Sequence, residues 1–383
     1  MYDVVVAGAG PVGTAAARAC AEAGLRTLCI EEHATIGYPV QCAGLLSTAA
    51  FSECRVSRRS IQNTVRGARV IPSTGEPLVI DAGKPKAFVV DRGILDAEMA
   101  RVAADAGAEF RLKTSVVSIH GNRLVTKGVQ GKEEIGFSLV IAADGVRSTV
   151  ARMLELGRAG SILGGLQAEM SCDADPGFVE IHPHASPEFF GWVIPSGNGR
   201  ARVGLCGEGD LRERVQGLAR DRGDGSAVVH LVSGALPLGV IDRTYGRRAL
   251  IAGDAAGMAK PTSGGGIYTG VRAARHAAAV VVECCRKGSF RDTDLARYEK
   301  LWKEDFGREL AVGWALYRAR RELSPADVDS VIGALRDPGR VEDILEIGDM
   351  DRPAALVRRL ALNPRVIRAA GILLAGGMRA FLT

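Results

Sequence analysis

A chain of 383 residues, 47% hydrophobic and 24% charged, has the balance of a globular protein and can bury a large core in two or three lobes. A net charge of +5 is too small to argue for a nucleic-acid partner, and eight cysteines without a CxxC pair suit neither zinc nor an iron–sulfur cluster, so no metal is expected. No apolar run matches a bilayer span, the first strand begins at residue 2 with no room for a signal peptide, and unpaired thiols point to a cytoplasmic protein.

Tyr2 to Ala7 has the pattern of a buried parallel strand, Gly8-Ala9-Gly10-Pro11-Val12-Gly13 is a GxGxxG turn, and Thr14 to Ala23 is an alanine-rich helix. Gly8 permits the tight turn, Gly10 lets backbone approach a pyrophosphate, and Gly13 lets helix and strand pack closely. The helix N-terminus, with unpaired N–H groups, receives the diphosphate. A second strand, Arg26 to Ile30, ends at Glu31, 18 residues past Gly13, where a carboxylate can accept ribose hydroxyls.

Residues 60–85 read as short strands outside the nucleotide sheet. Asp91 to Ala106 is an amphipathic helix, Arg111 to Lys127 a hairpin, and Phe137 to Ala143 a buried strand ending at Asp144-Gly145. Leu163 to Cys206 reads as short strands of a second, antiparallel sheet. Ala249 to Ala252 is again a buried strand, Gly264 to Glu283 starts a long helix, and everything after Phe290 reads as helices. The fold class is α/β: a Rossmann-like nucleotide-binding domain (1–59, 86–160, 245–290), a β-rich cap (60–85, 161–244) and a C-terminal helical region (291–383).

Three elements of a nucleotide site are thus spread along the chain: the glycine turn with Glu31, then Asp144-Gly145, then Gly253-Asp254 with Gly264-Gly265-Gly266. A strand ending in Gly-Asp places a carboxylate where it can bind a polyol such as ribityl. The triple glycine lets backbone N–H groups approach a ring and stabilise negative charge on a reduced flavin.

This order, GxGxxG then DG then GD, resembles the FAD-dependent hydroxylase-type flavoproteins over roughly residues 1–285. Within that group the chain is similar to the geranylgeranyl reductase family, including the archaeal digeranylgeranylglycerophospholipid reductases. Four stretches carry the likeness: Ile30 to Gly37, the cysteine loop Pro39-Val40-Gln41-Cys42-Ala43-Gly44-Leu45-Leu46-Ser47, the aromatic motif Phe189-Phe190-Gly191-Trp192-Val193-Ile194-Pro195, and Gly253 to Ile267. Ser196 stands where the family often has Lys, Ile194 where it has Phe, and Ala43 where Gly is usual. The departures bear on substrate more than on flavin.

The resemblance implies an FAD cofactor and reduction of isoprenoid C=C bonds in a lipid. It implies that Gly8, Gly10, Gly13 and Glu31 hold the adenosine half, that Asp144 and Gly145 lie near the pyrophosphate or support it, and that Asp254 holds ribityl. Gly264, Gly265 and Gly266 then face the isoalloxazine. Arg92 resembles the family's arginine near the flavin, against the plainer reading of a surface helix start.

An isoprenoid bond has no carbonyl to polarise it, so its reduction needs a hydride from flavin N5 and a proton from an acid. Cys42 is the candidate donor, since a neutral thiol with a free pKa of about 8.5 can serve. Tyr268 and a bound water are its rivals. Cys42 lies in a loop, where function concentrates, whereas Cys20, Cys29, Cys284 and Cys285 read as small buried hydrophobes.

Phe190 and Trp192 alternate and share a face; with Pro195 they form a wall of an apolar substrate tunnel or pack the sheet. His182 and His184 read as solvated imidazoles in a turn. The electron donor, an NAD(P)H, a deazaflavin or a ferredoxin, stays open, because no second GxGxxG follows a strand.

Six arginines and no acid between residues 352 and 383 suit either a peripheral contact with the inner face of the membrane or a docked terminal helix. Phe190-x-Trp192-x-Ile194-Pro195 also comes close to the halogenase pattern. A flavin-dependent halogenase or aromatic hydroxylase is therefore an alternative, although the lysines before residue 110, Lys84 and Lys86, sit in a Pro/Gly turn. A flavoprotein passing electrons to a quinone or protein is a third reading.

Overall fold

A computed structural model of the chain describes residues 1–220 and 228–361. It opens with β1 (Tyr2–Ala7), α1 (Pro11–Glu22), β2 (Thr27–Ile30), β3 (Leu45–Ser47) and α2 (Thr48–Cys54). Then come β4 (Ile61–Val65), β5 (Gly67–Val70), β6 (Leu78–Asp81), β7 (Ala87–Val90), α3 (Arg92–Asp105), β8 (Glu109–Arg111), β9 (Ser115–His120), β10 (Arg123–Gly128), β11 (Gly131–Ala142) and α4 (Thr149–Met153). The next stretch holds β12 (Ser161–Ser171), β13 (Phe178–His182), β14 (Gly191–Gly197), β15 (Arg200–Gly207), α5 (Leu211–Arg220), β16 (Val228–Leu238), β17 (Tyr245–Gly246), β18 (Ala249–Ile251) and α6 (Ile267–Lys287). Helices α7 (Asp292–Trp302), α8 (Arg308–Arg321), α9 (Pro325–Leu335), α10 (Pro338–Ile347) and α11 (Ala354–Ala361) complete the described chain.

The strands form three sheets. The first runs β17-β18-β11-β1-β2-β8, with β10 and β9 added to the far half of β11. Its centre is parallel: β1 pairs with β2 on one side and β11 on the other. Val4, Val5 and Val6 are fully buried, as a strand covered on both faces requires. Helices α1 and α6 lie together over this sheet, and Ala16, Ala17, Ala274 and Ala277 let them approach closely. The second sheet runs β16-β12-β15-β14-β13-β5-β6, and the third β3-β7-β4.

Several elements differ from the expectation, each for a local reason. Helix α1 starts at Pro11, whose fixed φ suits the first helical position. Strand β11 starts six residues before Phe137; its first half, with Lys132, Glu133 and Glu134 exposed, is a polar hairpin partner of β10. The hydrophobic run marks only the half that enters the parallel sheet. The second sheet is not purely antiparallel, because β13 and β5 run parallel. Helix α5 has four charged residues among ten and buries only Val215 and Leu218, which left it without a strong sequence signal.

The arginine-rich segment is described only as far as residue 361, so the reading of residues 362–383 lies outside the described residues. Among the described residues no helix is long and apolar enough to cross a membrane.

Candidate active site

The first glycine turn is tight enough to dictate its residues. Gly8 has φ +94°, and a Cβ there would stand 2.3 Å from the Ala143 carbonyl oxygen; at Gly13 it would stand 1.8 Å from the Gly8 carbonyl oxygen. Gly10 differs, since a Cβ there meets nothing within 4 Å. Gly8 and Gly13 are therefore glycines because protein fills the space, and Gly10 stands beside space that protein leaves open. Glu31 is tied back to this turn. Its Oε2 accepts the Ala9 N–H at 2.8 Å, and its Oε1 accepts from the His33 backbone at 3.0 Å.

Asp144 serves the protein itself. Its carboxylate accepts from Ser148 Oγ at 2.6 Å and from the Thr149 and Val150 N–H groups at 2.7 and 3.1 Å, capping α4. Burial raises its pKa, and these hydrogen bonds oppose the rise. The residue supports the Gly8 turn, and Gly145 beside it has φ +76° with open space at its Cβ position.

Asp254 has the opposite character. Among the described residues its carboxylate has no hydrogen-bond partner; burial pushes its pKa up and Arg92 draws it part of the way back. Its Oδ1 would lie 2.7 Å from a Cβ on Gly266. The turn of Gly264, Gly265 and Gly266 folds onto Lys260, whose carbonyl accepts the Gly264 N–H at 2.8 Å and whose N–H donates to the Gly265 carbonyl at 3.1 Å. Ser263 Oγ in this turn is buried without a partner. Open space at Gly10 and Gly145, an oriented Glu31, an unpartnered Asp254 and an orphaned Ser263 hydroxyl are what a dinucleotide-sized cofactor would complete.

The cysteine loop crosses the face of the second sheet. Gln41 covers Gly234 of β16, where a Cβ would stand 3.1 Å from the Gln41 carbonyl oxygen. Half-buried Cys42 accepts the Gly44 N–H on its sulfur at 3.3 Å. Cys42 is also close enough to Arg92 to favour its cation. Burial disfavours the Arg92 cation, but Asp96 and Cys42 outweigh it and raise its pKa. Arg92 is the first residue of α3 and grips Asp96 through two bonds of 2.8 and 2.7 Å. Arg92 is thus half-buried and tied to Asp96 rather than a free surface helix start, and its charge acts on both Cys42 and Asp254. Cys206 of β15, pushed up to about 12 by burial and by Cys42, lies on the same side.

Phe190 and Trp192 meet edge to face at 6.4 Å and pack against Leu163, Phe189, Cys206 and Leu236. Trp192 Nε1 donates to Gln167 at 3.0 Å. Pro195 is buried, and its carbonyl accepts from Asn63 at 2.9 Å. Tyr268 stands apart from this wall. It is buried with Leu46, Phe51, Phe88 and Leu95, and its oxygen accepts from Arg352 Nε at 3.0 Å.

His182 and His184 are not solvated. They pair with Glu180 at 3.0 Å and Asp329 at 2.8 Å. Lys84 is exposed and Lys86 half-buried in the turn before β7.

Four further residues belong to the site. Phe189 reaches within 3.5 Å of a Cβ on Gly264. Lys260 and Asp351 form a buried ion pair behind the triple glycine. Arg202 bonds the cysteine loop. Only Phe189 had a sequence signal, its place in the aromatic motif.

The profile of the FAD binding domain family matches residues 1–214. Digeranylgeranylglycerophospholipid reductase 2 of Methanothermobacter thermautotrophicus is 32% identical, over 87% of this chain and 91% of that protein. The chain belongs to the digeranylgeranylglycerophospholipid reductase family of FAD-binding proteins.

A geranylgeranyl bacteriochlorophyll reductase-like protein from Thermoplasma acidophilum superposes with a TM-score of 0.88 at 27% identity, over 97% of this chain and 99% of that one. A flavin-dependent brominase superposes with a TM-score of 0.71 at 16% identity, over 94% and 98%, which is a likeness of fold alone. FAD is the cofactor of this family member, and the residues above fit it.

Proposed function

We propose that this chain is an FAD-dependent reductase that saturates C=C bonds in the isoprenoid chains of a lipid, with Cys42 as the proton donor. The observation that carries the reading is the cysteine loop, which holds half-buried Cys42 over the sheet face that carries Cys206 and the Phe190–Trp192 wall. Gly8, Gly10, Gly13 and Glu31 would hold the adenosine half of FAD, Asp254 the ribityl chain, and Gly264 to Gly266 the ring, while Asp144 and Gly145 shape the pyrophosphate turn. Bound and reduced, FAD supplies the hydride that an unpolarised alkene needs.

The protein's own part is position and a proton. The wall of Phe189, Phe190, Trp192 and Pro195 excludes water and lays an apolar chain along the sheet. The Cys42 S–H gives its proton to one alkene carbon while the other gains the hydride. The π bond breaks, two C–H bonds form, and water returns a proton to the sulfur. The Arg92 cation, close to that sulfur, offsets the charge left on it. Tyr268, engaged by Arg352, serves packing in this scheme.

A lipid substrate adds a peripheral membrane contact to the reading, through arginines beyond Arg352, itself engaged by Tyr268 and Asp305, meeting anionic headgroups. The electrons enter from an external donor, NAD(P)H, a deazaflavin or a ferredoxin, which docks transiently.

The test is anaerobic. The flavoprotein is reduced with dithionite, given a geranylgeranyl lipid, and the lipid's mass is followed. A gain of two hydrogens per bond is expected. A flavin that reduces normally while the lipid keeps its mass would overturn the reading in favour of oxygen-dependent or electron-carrier chemistry.

A further inference from the structure

Cys42 and Arg92 stand on two separate stretches of backbone, and one buried side chain holds both. Arg202, on β15, is 7% exposed. Its Nη1 donates to the carbonyl of Ala43 at 2.7 Å, directly after Cys42, and to the carbonyl of Val90 at 3.1 Å, two residues before Arg92. Its Nη2 donates to Gln62 Oε1 at 2.7 Å. The two backbones also meet directly, since the Val90 N–H donates to the Gly44 carbonyl at 2.8 Å.

The loop is shaped around this guanidinium. Gly44 has φ +70°, and a Cβ there would stand 2.3 Å from Arg202 Nη1 and 2.5 Å from the Val90 carbonyl oxygen. The glycine's missing side chain is the space the guanidinium occupies. The same Gly44 N–H points at the Cys42 sulfur at 3.3 Å. The rigid fork thus fixes the residue that orients the thiol.

Among the described residues no carboxylate forms an ion pair with Arg202. A buried cation without a counter-ion is costly, and an apolar side chain of similar length would fill the volume without that cost. What an apolar residue cannot do is bond three acceptors on three segments in one plane, which is the property particular to a guanidinium. Its place on the sheet suits the task. Arg202, Gly204 and Cys206 alternate on one face of β15, and the loop runs across that face from Gly234, under Gln41, to Arg202.

We propose that Arg202 is the positioning residue of the Cys42 thiol. It locks the cysteine loop of residues 41–44 to the end of β7, so that the sulfur stays on the Gly44 N–H that orients it. The inference rests on the reading of Cys42 as the proton donor. Arg202 acts through the loop and touches no reacting atom.

The test uses the holoenzyme with Arg202→Met and Arg202→Lys. Iodoacetamide labelling of Cys42, followed by peptide mass as a function of pH, reads the loop. Anaerobic lipid reduction reads kcat and KM. In Arg202→Met the loop is released, so Cys42 is expected to alkylate about tenfold faster, and kcat to fall about 10- to 100-fold with KM little changed. Arg202→Lys should recover part of both, because an ammonium can still bond one or two of the carbonyls.

Wild-type labelling in Arg202→Met would overturn the proposal, whatever happens to kcat, since the residue would then act by another route. If Arg202→Met yields no soluble flavoprotein, Arg202→Lys and Gln62→Leu decide, and wild-type labelling in both overturns it. A Cys42→Ala enzyme with full turnover, beside fast labelling in Arg202→Met, would sink the proton-donor reading and leave the clamp standing.

Discussion

Lys260 and Asp351 are 91 residues apart in the chain and form an ion pair of which only 7% and 1% of the side chains is exposed. Lys260 belongs to the turn that ends in the triple glycine. Its ammonium also donates to the Met350 carbonyl at 2.9 Å, and the second Asp351 oxygen accepts from Ser47, which caps α2 just after the cysteine loop. One carboxylate therefore joins the triple-glycine turn, the cysteine-loop strand and the segment before α11. Neither charge is stable there alone.

Asp351→Asn keeps the shape and strands the lysine. We expect a loss of about 3 kcal/mol in unfolding free energy and a lower flavin content after purification. The double variant Lys260→Met/Asp351→Leu should recover most of the stability, because an apolar pair needs no compensation. Equal melting temperatures for Asp351→Asn and wild type, with equal flavin content, would show that the pair is dispensable.

Gly10 and Gly13 separate folding from cofactor binding. Alanine at Gly13 places a methyl 1.8 Å from the Gly8 carbonyl oxygen, and the backbone must shift. Gly13→Ala should lose about 3 kcal/mol of stability or more with flavin removed. Gly10→Ala meets no protein atom within 4 Å and has an ordinary φ of −68°. It should fold like wild type yet bind FAD at least about tenfold more weakly, a loss of about 1.4 kcal/mol. Apo-protein melting and flavin titration on both variants read the two effects, and a Gly10→Ala protein that binds FAD normally would place the pyrophosphate elsewhere.

Asp254→Ala tests the other end of the cofactor. Because burial raises the pKa of this carboxylate and no hydrogen bond supports it, the apoprotein gains or keeps stability when it is removed, by up to about 1 kcal/mol. The flavin should be lost on purification. Flavin occupancy equal to wild type by absorbance would rule out the ribityl role.

What was legible in the sequence is what local chemistry dictates. The GxGxxG turn, Glu31 at the end of the next strand, and the Gly-Asp strand end each sit at the end of a buried strand that the sequence pattern marks, so their place along the chain carries much of the geometry. Arg202 could not be found that way. Its acceptors lie 159, 112 and 140 residues away, and on β15 it reads only as an unexplained charge in a buried strand. The same holds for Lys260 and Asp351. Strand alternation singled out Phe190 and Trp192, but Phe189 and Phe190 both precede β14, where strand parity does not apply. The two rings stack on each other at 4.2 Å, and it is Phe189 that reaches the Gly264 turn. The imidazoles of His182 and His184 found carboxylates in Glu180, two residues back on the same strand, and Asp329 on a distant helix, which a turn reading does not announce.

Cys42→Ala should purify with FAD at the wild-type level and reduce the lipid about 10²- to 10⁴-fold more slowly, the span expected for removing a positioned acid. Tyr268→Phe should stay near wild-type turnover, since its hydroxyl is engaged by Arg352. Single-turnover mixing of reduced enzyme with lipid, monitored at the flavin absorbance, distinguishes the two. The opposite ranking would make Tyr268 the donor.

Asp305 sets the acid limit of the helical region's attachment. It sits between α7 and α8 and receives Arg272 at 2.7 and 2.8 Å, His276 at 2.9 Å and Arg352 at 2.8 Å. Burial works against its charge, but the hydrogen bonds from Arg272, His276 and Arg352 outweigh it and hold its pKa at about 2. An unfolded Asp titrates at about 3.9, so the folded state binds its proton less readily. The resulting stabilisation is fully present above about pH 4, declines through about half near pH 3 and is gone below about pH 2. Its size is about 1–2 kcal/mol, after allowing for solvent screening of the partly exposed arginines. Asp305→Asn should therefore be less stable than wild type at pH 7 by that amount, and the two unfolding curves should converge as the pH is lowered from 4 towards 2. Denaturant unfolding at pH 7, 5, 4 and 3 checks both the size and the sign. A difference that held constant down to pH 3 would mean that the charge of Asp305 is not what secures this junction.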